Sequence, residues 1–443
     1  MSNPEFKRNL WLSFSESRLV AMPAILGLIF LATYASHAPD ARAGEVRMIA
    51  ISLFIFIVWL WGAGNASAAI IDEMRNRTWD QQRMSALEPW TMTWGKLFGA
   101  TSYNWYGGIW CLSAFALTGM FAETQGLSLT VMTLCTVAIL LHAAMIAVAL
   151  YTSQFGTRPL QGATVGWLIV IGVTFKYFFD FGLDMSAPAA KFWWGMEFEH
   201  VLFWLLTSLL FAICFIFAAW RAMCTALQVP TLPWAWPAFA CILTVYFSGQ
   251  ITGETGHPLS VLMLLGLLIS VALTYLTLFS EPNTLLLWHK LRILQEKNEW
   301  RSWLEHLPVW TTTLVLSVVF ATLSYLFTAS PPLGNNASLP QPVHAFTLVL
   351  MLLRDACIVL FFAFSPNSKN AAGKTMVSLI LLDLLLPYLA SVADLSELFF
   401  FFMPIPTPMT SGHAAWNSTL VMASHAATAL VLVNWRLRTA KLQ

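Results

Sequence analysis

Charge is scarce in this chain. Of its 443 residues, 10% are Asp, Glu, Lys or Arg and 58% are hydrophobic. A soluble domain carries about a quarter charged residues, so an ordinary water-soluble fold is excluded. The net charge of +1 offers no basic surface for nucleic acid, and no nucleic-acid partner is expected. The six cysteines (Cys111, Cys135, Cys214, Cys224, Cys241 and Cys357) lie in or beside apolar runs, and none forms a CxxC pair. Neither a disulfide framework nor a zinc site follows from them. A cleavable signal is not expected at the N-terminus, because the first apolar run starts late and lacks a clear small-residue cleavage site.

Long apolar runs fill the space that charge leaves. They are about 20 residues each, the length of a spanning helix rather than of a barrel strand. Twelve are expected: 19–36, 48–71, 97–121, 129–151, 163–180 and 201–220, then 234–251, 259–279, 309–328, 343–364, 376–392 and 416–433. The fold class is therefore all-α, a polytopic helical membrane protein of about 12 transmembrane helices. With both termini in the cytoplasm, only Arg42, Arg47 and Lys191 fall outside, and Lys176 and Arg354 lie within spans. All other Lys and Arg face the cytoplasm. Residues 1–18 form an amphipathic interfacial helix, with Phe6, Leu10 and Phe14 recurring every four residues over Pro4–Arg18.

Two six-helix halves are expected, 19–228 and 229–443. Gly162-Ala-Thr-Val-Gly-Trp-Leu-Ile-Val170 echoes Gly373-Lys-Thr-Met-Val-Ser-Leu-Ile-Leu381. Met22-Pro23-Ala24 echoes Trp236-Pro237-Ala238 at nearly the same offset. Long cytoplasmic loops follow the second span (72–96) and the eighth (281–308), aligning Glu73 with Glu281 and Trp79 with Trp288.

Charges at bilayer depth are functional candidates by default. Here they are Lys176 and Asp180 in the fifth span, Arg354 and Asp355 in the tenth, and Asp383 in the eleventh. Pairing of Arg354 with Asp383 is the structural alternative. His142 and His425 lie in apolar surroundings, but neither has a second histidine at helical spacing. A hydrogen-bonded core histidine is the simpler reading of both. Many of the 21 tryptophans cluster at span ends, where an interfacial belt explains them.

The loop Asp72–Lys96 is the longest polar stretch of the first half, and Thr78–Leu87 suits a short helix. Glu73, Thr78, Trp79, Asp80, Leu87, Pro89, Trp90, Gly95 and Lys96 stand as in the cytoplasmic loop of ABC-2-type transporter permeases, which this stretch resembles. Arg77 replaces the usual glycine, Gln82 a leucine and Ala86 a common proline. The family plan includes an amphipathic N-terminal helix and a membrane-dipping outer segment before the sixth span. Phe181–His200 and Phe399–Met409 are placed to match that segment. The resemblance implies an exporter whose permease is moved by separate cytoplasmic ABC ATPase subunits, in two copies. It implies ATPase docking at Glu73, Thr78, Trp79, Asp80, Arg83 and Met84, and in the degenerate second loop at Trp288 and Arg292. Lipid surrounds such a chain in a bacterial cytoplasmic membrane, with room for periplasmic or additional membrane subunits.

No cofactor is expected on this chain; ATP and Mg belong to the ATPase. Gly373-Lys374-Thr375 looks like the end of a phosphate-binding loop, but Ser368 stands where that motif needs glycine. Enzymatic activity of its own is therefore not expected. Two other classes compete. Six plus six spans also suit a gradient-driven secondary transporter. A membrane-embedded enzyme or assembly factor would use Asp180, Asp184, Glu197, Glu199 and His200 as an outer cluster.

Overall fold

The computed structural model describes residues 3–84, 87–121, 126–154, 167–168, 170–174, 190–255, 258–281, 283–328, 343–365, 371–393 and 412–439. Among them, nine helices are long and apolar enough to cross a bilayer. Each closes its backbone hydrogen bonds internally, as lipid requires. The chain is a polytopic helical membrane protein. The nine coincide with the first, second, fourth, sixth and eighth to twelfth expected spans. The third expected span is helical over Ser102–Phe121 but less apolar, because Tyr103, Asn104, Trp105 and Tyr106 crowd its start. The seventh is a helix whose apolar part, Ala235–Ile251, is short. Most of the fifth, with Lys176 and Asp180, lies outside the described residues.

Two compact units divide the chain, one of residues 1–191 and 197–231 and one of residues 192–196 and 232–443. The first unit starts with α1 (Pro4–Ser13), whose N-cap Asn3 side chain accepts from the N–H groups of Glu5 (3.0 Å) and Phe6 (3.2 Å). The amphipathic helix is thus shorter than the expected Pro4–Arg18. Phe14 is extended, and Ser15 caps a new helix, α2 (Glu16–Ser36). α3 (Arg42–Arg75), α4 (Trp79–Arg83), α5 (Pro89–Gly99), α6 (Ser102–Phe121), α7 (Leu127–Gln154) and α8 (His200–Ala226) follow. Between α7 and α8, β1 (Ala190–Trp193) and β2 (Met196–Glu199) form a hairpin. α7 packs along α8, and α3 against α6 and α7, around Phe54, Val58, Trp59, Leu141, Met145 and Ile146.

α3 loosens into a π-helix over Ile55–Trp61. Such stretches redirect backbone carbonyls away from the regular ladder. The Asn104 amide donates to the Ile57 carbonyl (2.9 Å), and His142 Nε2 donates to that of Val58 (2.7 Å). His142 therefore has a structural partner in the core.

The second unit contains α9 (Ala235–Thr255), α10 (Pro258–Ser280), α11 (Leu285–Glu296), α12 (Trp300–His306), α13 (Val309–Thr328) and α14 (Val343–Ala363). α15 (Ala371–Ile380) then runs through a π-helical stretch, Leu381–Leu385, into α16 (Leu386–Val392), and α17 (Gly412–Thr439) closes the unit. α10 packs on α13 through Met263, Leu267, Phe320 and Ala321. The hydroxyl pairs Thr274–Thr313 (2.9 Å) and Thr347–Thr419 (2.8 Å) join neighbouring helices.

Candidate functional site

The site is built where α3 ends and α5 begins. Arg77 adopts φ 58°, the left-handed conformation that glycine tolerates best. It ends α3 in a Schellman arrangement: the Thr78 N–H donates to Glu73 O (2.9 Å) and the Arg77 N–H to Met74 O (3.2 Å). Arg77 is the position where the ABC-2 pattern has glycine. The special backbone is present here even though the residue is not. Thr78 adds a bond from its hydroxyl to Glu73 O (3.1 Å). Pro89 stands at the start of α5, and Gly95 and Lys96 lie inside that helix.

α1 lies along α5. Asn3 donates to Thr91 O at 2.7 Å. A Cβ on Gly95 would stand 2.6 Å from Glu5 Cβ, and one on Gly99 2.8 Å from Asn9 Cβ. Gly95 and Gly99 are four residues apart, as are Glu5 and Asn9, so one helix fits a groove in the other. That approach buries Glu5 and Asn9 and leaves Trp11 and Leu12 exposed. The face of α1 against α5 is thus polar, and Phe6, Leu10 and Phe14 are each half-buried.

Lys96 is fully buried in this contact. Its Nζ donates to Glu5 (3.1 Å) and to Glu73, and Arg8 pairs with both Glu5 (3.2 Å) and Glu73. Asn9 donates to the Glu5 carboxylate at 3.0 Å. Two cations and two carboxylates from three helices therefore balance. A buried charge is tolerable only when paired and hydrogen-bonded in this way. The Trp79 ring closes the site, with Lys96 Nζ 5.7 Å from its centroid.

Of the expected docking residues, Trp79 is buried against Lys96, on α4, a single short helix folded back onto the junction. Asp80, Arg83 and Met84 are exposed, and Met84 is 81% accessible. In the second unit Trp288 also turns inward, 6.1 Å from Trp310 and 6.4 Å from Phe364 between ring centroids. Arg292 is exposed and paired with Glu296 at 3.1 Å. Glu197 and Glu199 are exposed, while His200 accepts from Trp204 Nε1 at 3.1 Å. Asp180 and Asp184 lie outside the described residues, and no metal-binding group forms among the described ones.

A second polar group gathers at bilayer depth in the other unit. Arg354 donates to Asp355 (2.8 and 2.7 Å) and to Asp383 (2.6 Å), and the Tyr275 hydroxyl donates to Asp355 at 2.5 Å. The Arg354–Asp383 pairing read from the sequence is present. Glu5, Arg8 and Tyr275 are site residues that the sequence reading passed over; Lys96 was read only as part of the loop pattern. The four-residue spacing shared by Gly95/Gly99 and Glu5/Asn9 is the signal that points to Glu5 and Arg8.

No family model, no curated protein and no solved structure matches this chain.

Proposed function

We propose that the chain is the transmembrane permease subunit of an ABC-2-type transporter, an exporter in a bacterial cytoplasmic membrane with both termini inside. The observation that carries this reading is the buried Lys96 held by Glu5 and Glu73. It ties the end of one span, the approach to the next and the interfacial helix into one rigid joint beside the exposed end of α4. A loop that transmits force needs such a joint, since a slack one would absorb the motion. ATP closure of two separate ATPase subunits would push on Asp80, Arg83 and Met84, and the joint would carry the displacement into α3 and α6. The left-handed backbone at the family's glycine position adds to the resemblance. Trp79 serves here as an anchor rather than a contact. Trp288 is an anchor of the second loop, and Arg292 its exposed charge.

A gradient-driven carrier is the second reading, favoured by the Arg354, Asp355 and Asp383 group at bilayer depth.

The test is co-purification from native membranes of the tagged full-length chain and of an Arg83→Glu, Met84→Ala variant. Both side chains are exposed, so insertion should be unchanged. ATP hydrolysis recovered with the variant should fall about tenfold at equal expression, the effect of losing about 1.4 kcal/mol at the contact. Equal recovery would remove the docking role and with it the ABC assignment.

A further inference from the structure

A cleft of about 380 Å³ opens beside the Lys96 joint, between the end of α1, the start of α2 and the last turns of α3. Its volume falls in the range of small-molecule sites. Four charged residues line it: Arg8, Arg18, Asp72 and Glu73. Arg8 and Glu73 pair with each other and, with Glu5 and Lys96, belong to the balanced set of two cations and two carboxylates. Arg18 and Asp72 do not. Arg18 is exposed, and among the described residues its side chain makes one hydrogen bond, from Nη1 to Ser13 O at 3.2 Å. The Tyr103 ring, its centroid 6.0 Å from Arg18 Cζ, steadies the side chain. A guanidinium has five N–H donors, so most of Arg18 is left for a ligand. Asp72 is exposed, and among the described residues its carboxylate has neither a donor nor an ion pair. Asn65 adds an acceptor. Its amide nitrogen donates to Asn104 Oδ1 at 2.8 Å, and its own Oδ1 has no donor among the described residues.

The cleft therefore offers one spare cation and one spare anion over a neutral remainder. A purely anionic ligand would meet Asp72 as a like charge, and a purely cationic one would meet Arg18. A zwitterion satisfies both. The rim is apolar. Leu12 lines the cleft and is 70% exposed, and Trp11 beside it is 84% exposed. Just beyond Arg18, Leu19, Val20, Ile25 and Leu28 are exposed along α2, a helix long and apolar enough to cross a bilayer. Arg18 thus stands where an outward apolar surface begins, the level of lipid headgroups. A guanidinium also binds a phosphate through paired N–H···O bonds.

We propose that this cleft holds the headgroup of a zwitterionic membrane phospholipid with a primary ammonium, a phosphatidylethanolamine. The phosphate lies on Arg18, and the ammonium donates to Asp72 and to Oδ1 of Asn65. The acyl chains run along the apolar surface of α2. A primary ammonium has three N–H donors for these acceptors, whereas a quaternary one has none. The bound lipid ties the interfacial helix to the end of α3 at the membrane surface. The site does not depend on the ATPase reading.

The experiment is native mass spectrometry of the delipidated full-length protein in detergent. It is titrated with phosphatidylethanolamine, phosphatidylcholine and phosphatidylglycerol of the same acyl chains. Wild type should bind phosphatidylethanolamine about tenfold more tightly than the other two. Asp72→Asn should abolish that preference without weakening phosphatidylglycerol, which has no ammonium. Arg18→Gln should weaken all three about tenfold. Both side chains are exposed, so both variants should insert normally. If either does not, the headgroup series on wild type carries the test. Glycerophosphoethanolamine, the same headgroup without acyl chains, separates the sources: competition by it at equal concentration would show a soluble zwitterion in the cleft and overturn the lipid assignment. A wild-type preference for phosphatidylglycerol, or equal binding of the three lipids, would overturn it as well. So would a wild-type binding profile in both variants.

Discussion

Each unit joins a spanning helix to the next through a long loop, and the two joints use different chemistry. In the first, Glu73 at the end of α3 meets Lys96 on α5, and Glu5 and Arg8 complete a set of four charges. In the second, Glu281 at the end of α10 accepts the backbone N–H of Val309, the first residue of α13, at 3.0 Å. Asn283 accepts from Trp310 Nε1 (3.0 Å) and donates to Leu278 O (3.1 Å), and Trp288 packs on Trp310 and Phe364. The carboxylate has the same place in both, but only the first is met by cations. A joint closed by charges is neutral only when every member is present, so it fails abruptly. A joint closed by neutral bonds and aromatic packing loses strength by degrees. Burial also pushes the Glu281 carboxyl up to about 7, against the hydrogen bonds from Val309 and Trp310.

The sharpest way to break this contrast is Lys96→Met. It leaves Arg8 as the one cation on Glu5 and Glu73 and uncovers a surplus negative charge in the joint, at a cost of about 3–5 kcal/mol. Thermal unfolding of the detergent-solubilised protein should show a large loss, partly restored by adding Glu5→Gln. An unchanged transition would mean that the first joint is no more charge-dependent than the second.

Next in size is the pH response of Glu281. Its folded value near 7 lies above the ordinary 4.5, so the fold holds a proton that the unfolded chain releases. Stability contributed by the protonated acid is complete below about pH 4.5, declines as pH rises to about 7, and is flat beyond. The difference amounts to up to about 3 kcal/mol. Glu281→Gln should remove this slope from unfolding midpoints measured across the window. A variant with the wild-type slope would place the titration elsewhere.

The smallest effect belongs to Arg292→Ala. Arg292 and Glu296 are 61% and 65% exposed, so their pair contributes about 0.5 kcal/mol or less. The unfolding midpoint should barely move. On the proposed ATPase reading, retention that nonetheless falls would give Arg292 and the second loop a share of the docking role, and no change in either would leave that role to the first loop.

Much of the fold was legible because apolar runs of span length have few alternatives in lipid. The third and seventh spans were harder, since Asn104 and its aromatic neighbours dilute one helix and the apolar part of the other is short. The Arg354–Asp383 pair was legible for a similar reason: charges at that depth must find each other. Trp79 was not. Its neighbours Asp80, Gln81, Gln82 and Arg83 mark a solvated helix, and nothing local says that the ring turns back onto Lys96. Arg77 hid a left-handed turn behind a residue that rarely adopts one. Glu5 meets Lys96 across 91 positions of sequence, beyond the reach of any periodicity.

By itself, then, the sequence determined the medium, the helical class and the rough positions of the spans. Composition and run length suffice for these, because an unsatisfied backbone has no partner in lipid. Tertiary structure alone decided which residues lose their solvent. Glu5 and Asn9 became the inward face of α1 because glycines on another helix left a groove for them. Lys96 became a buried cation because two carboxylates, each from a different helix, converge on it. Burial of a charge depends on partners brought together in space, and that is a property of the packed helices rather than of any local stretch.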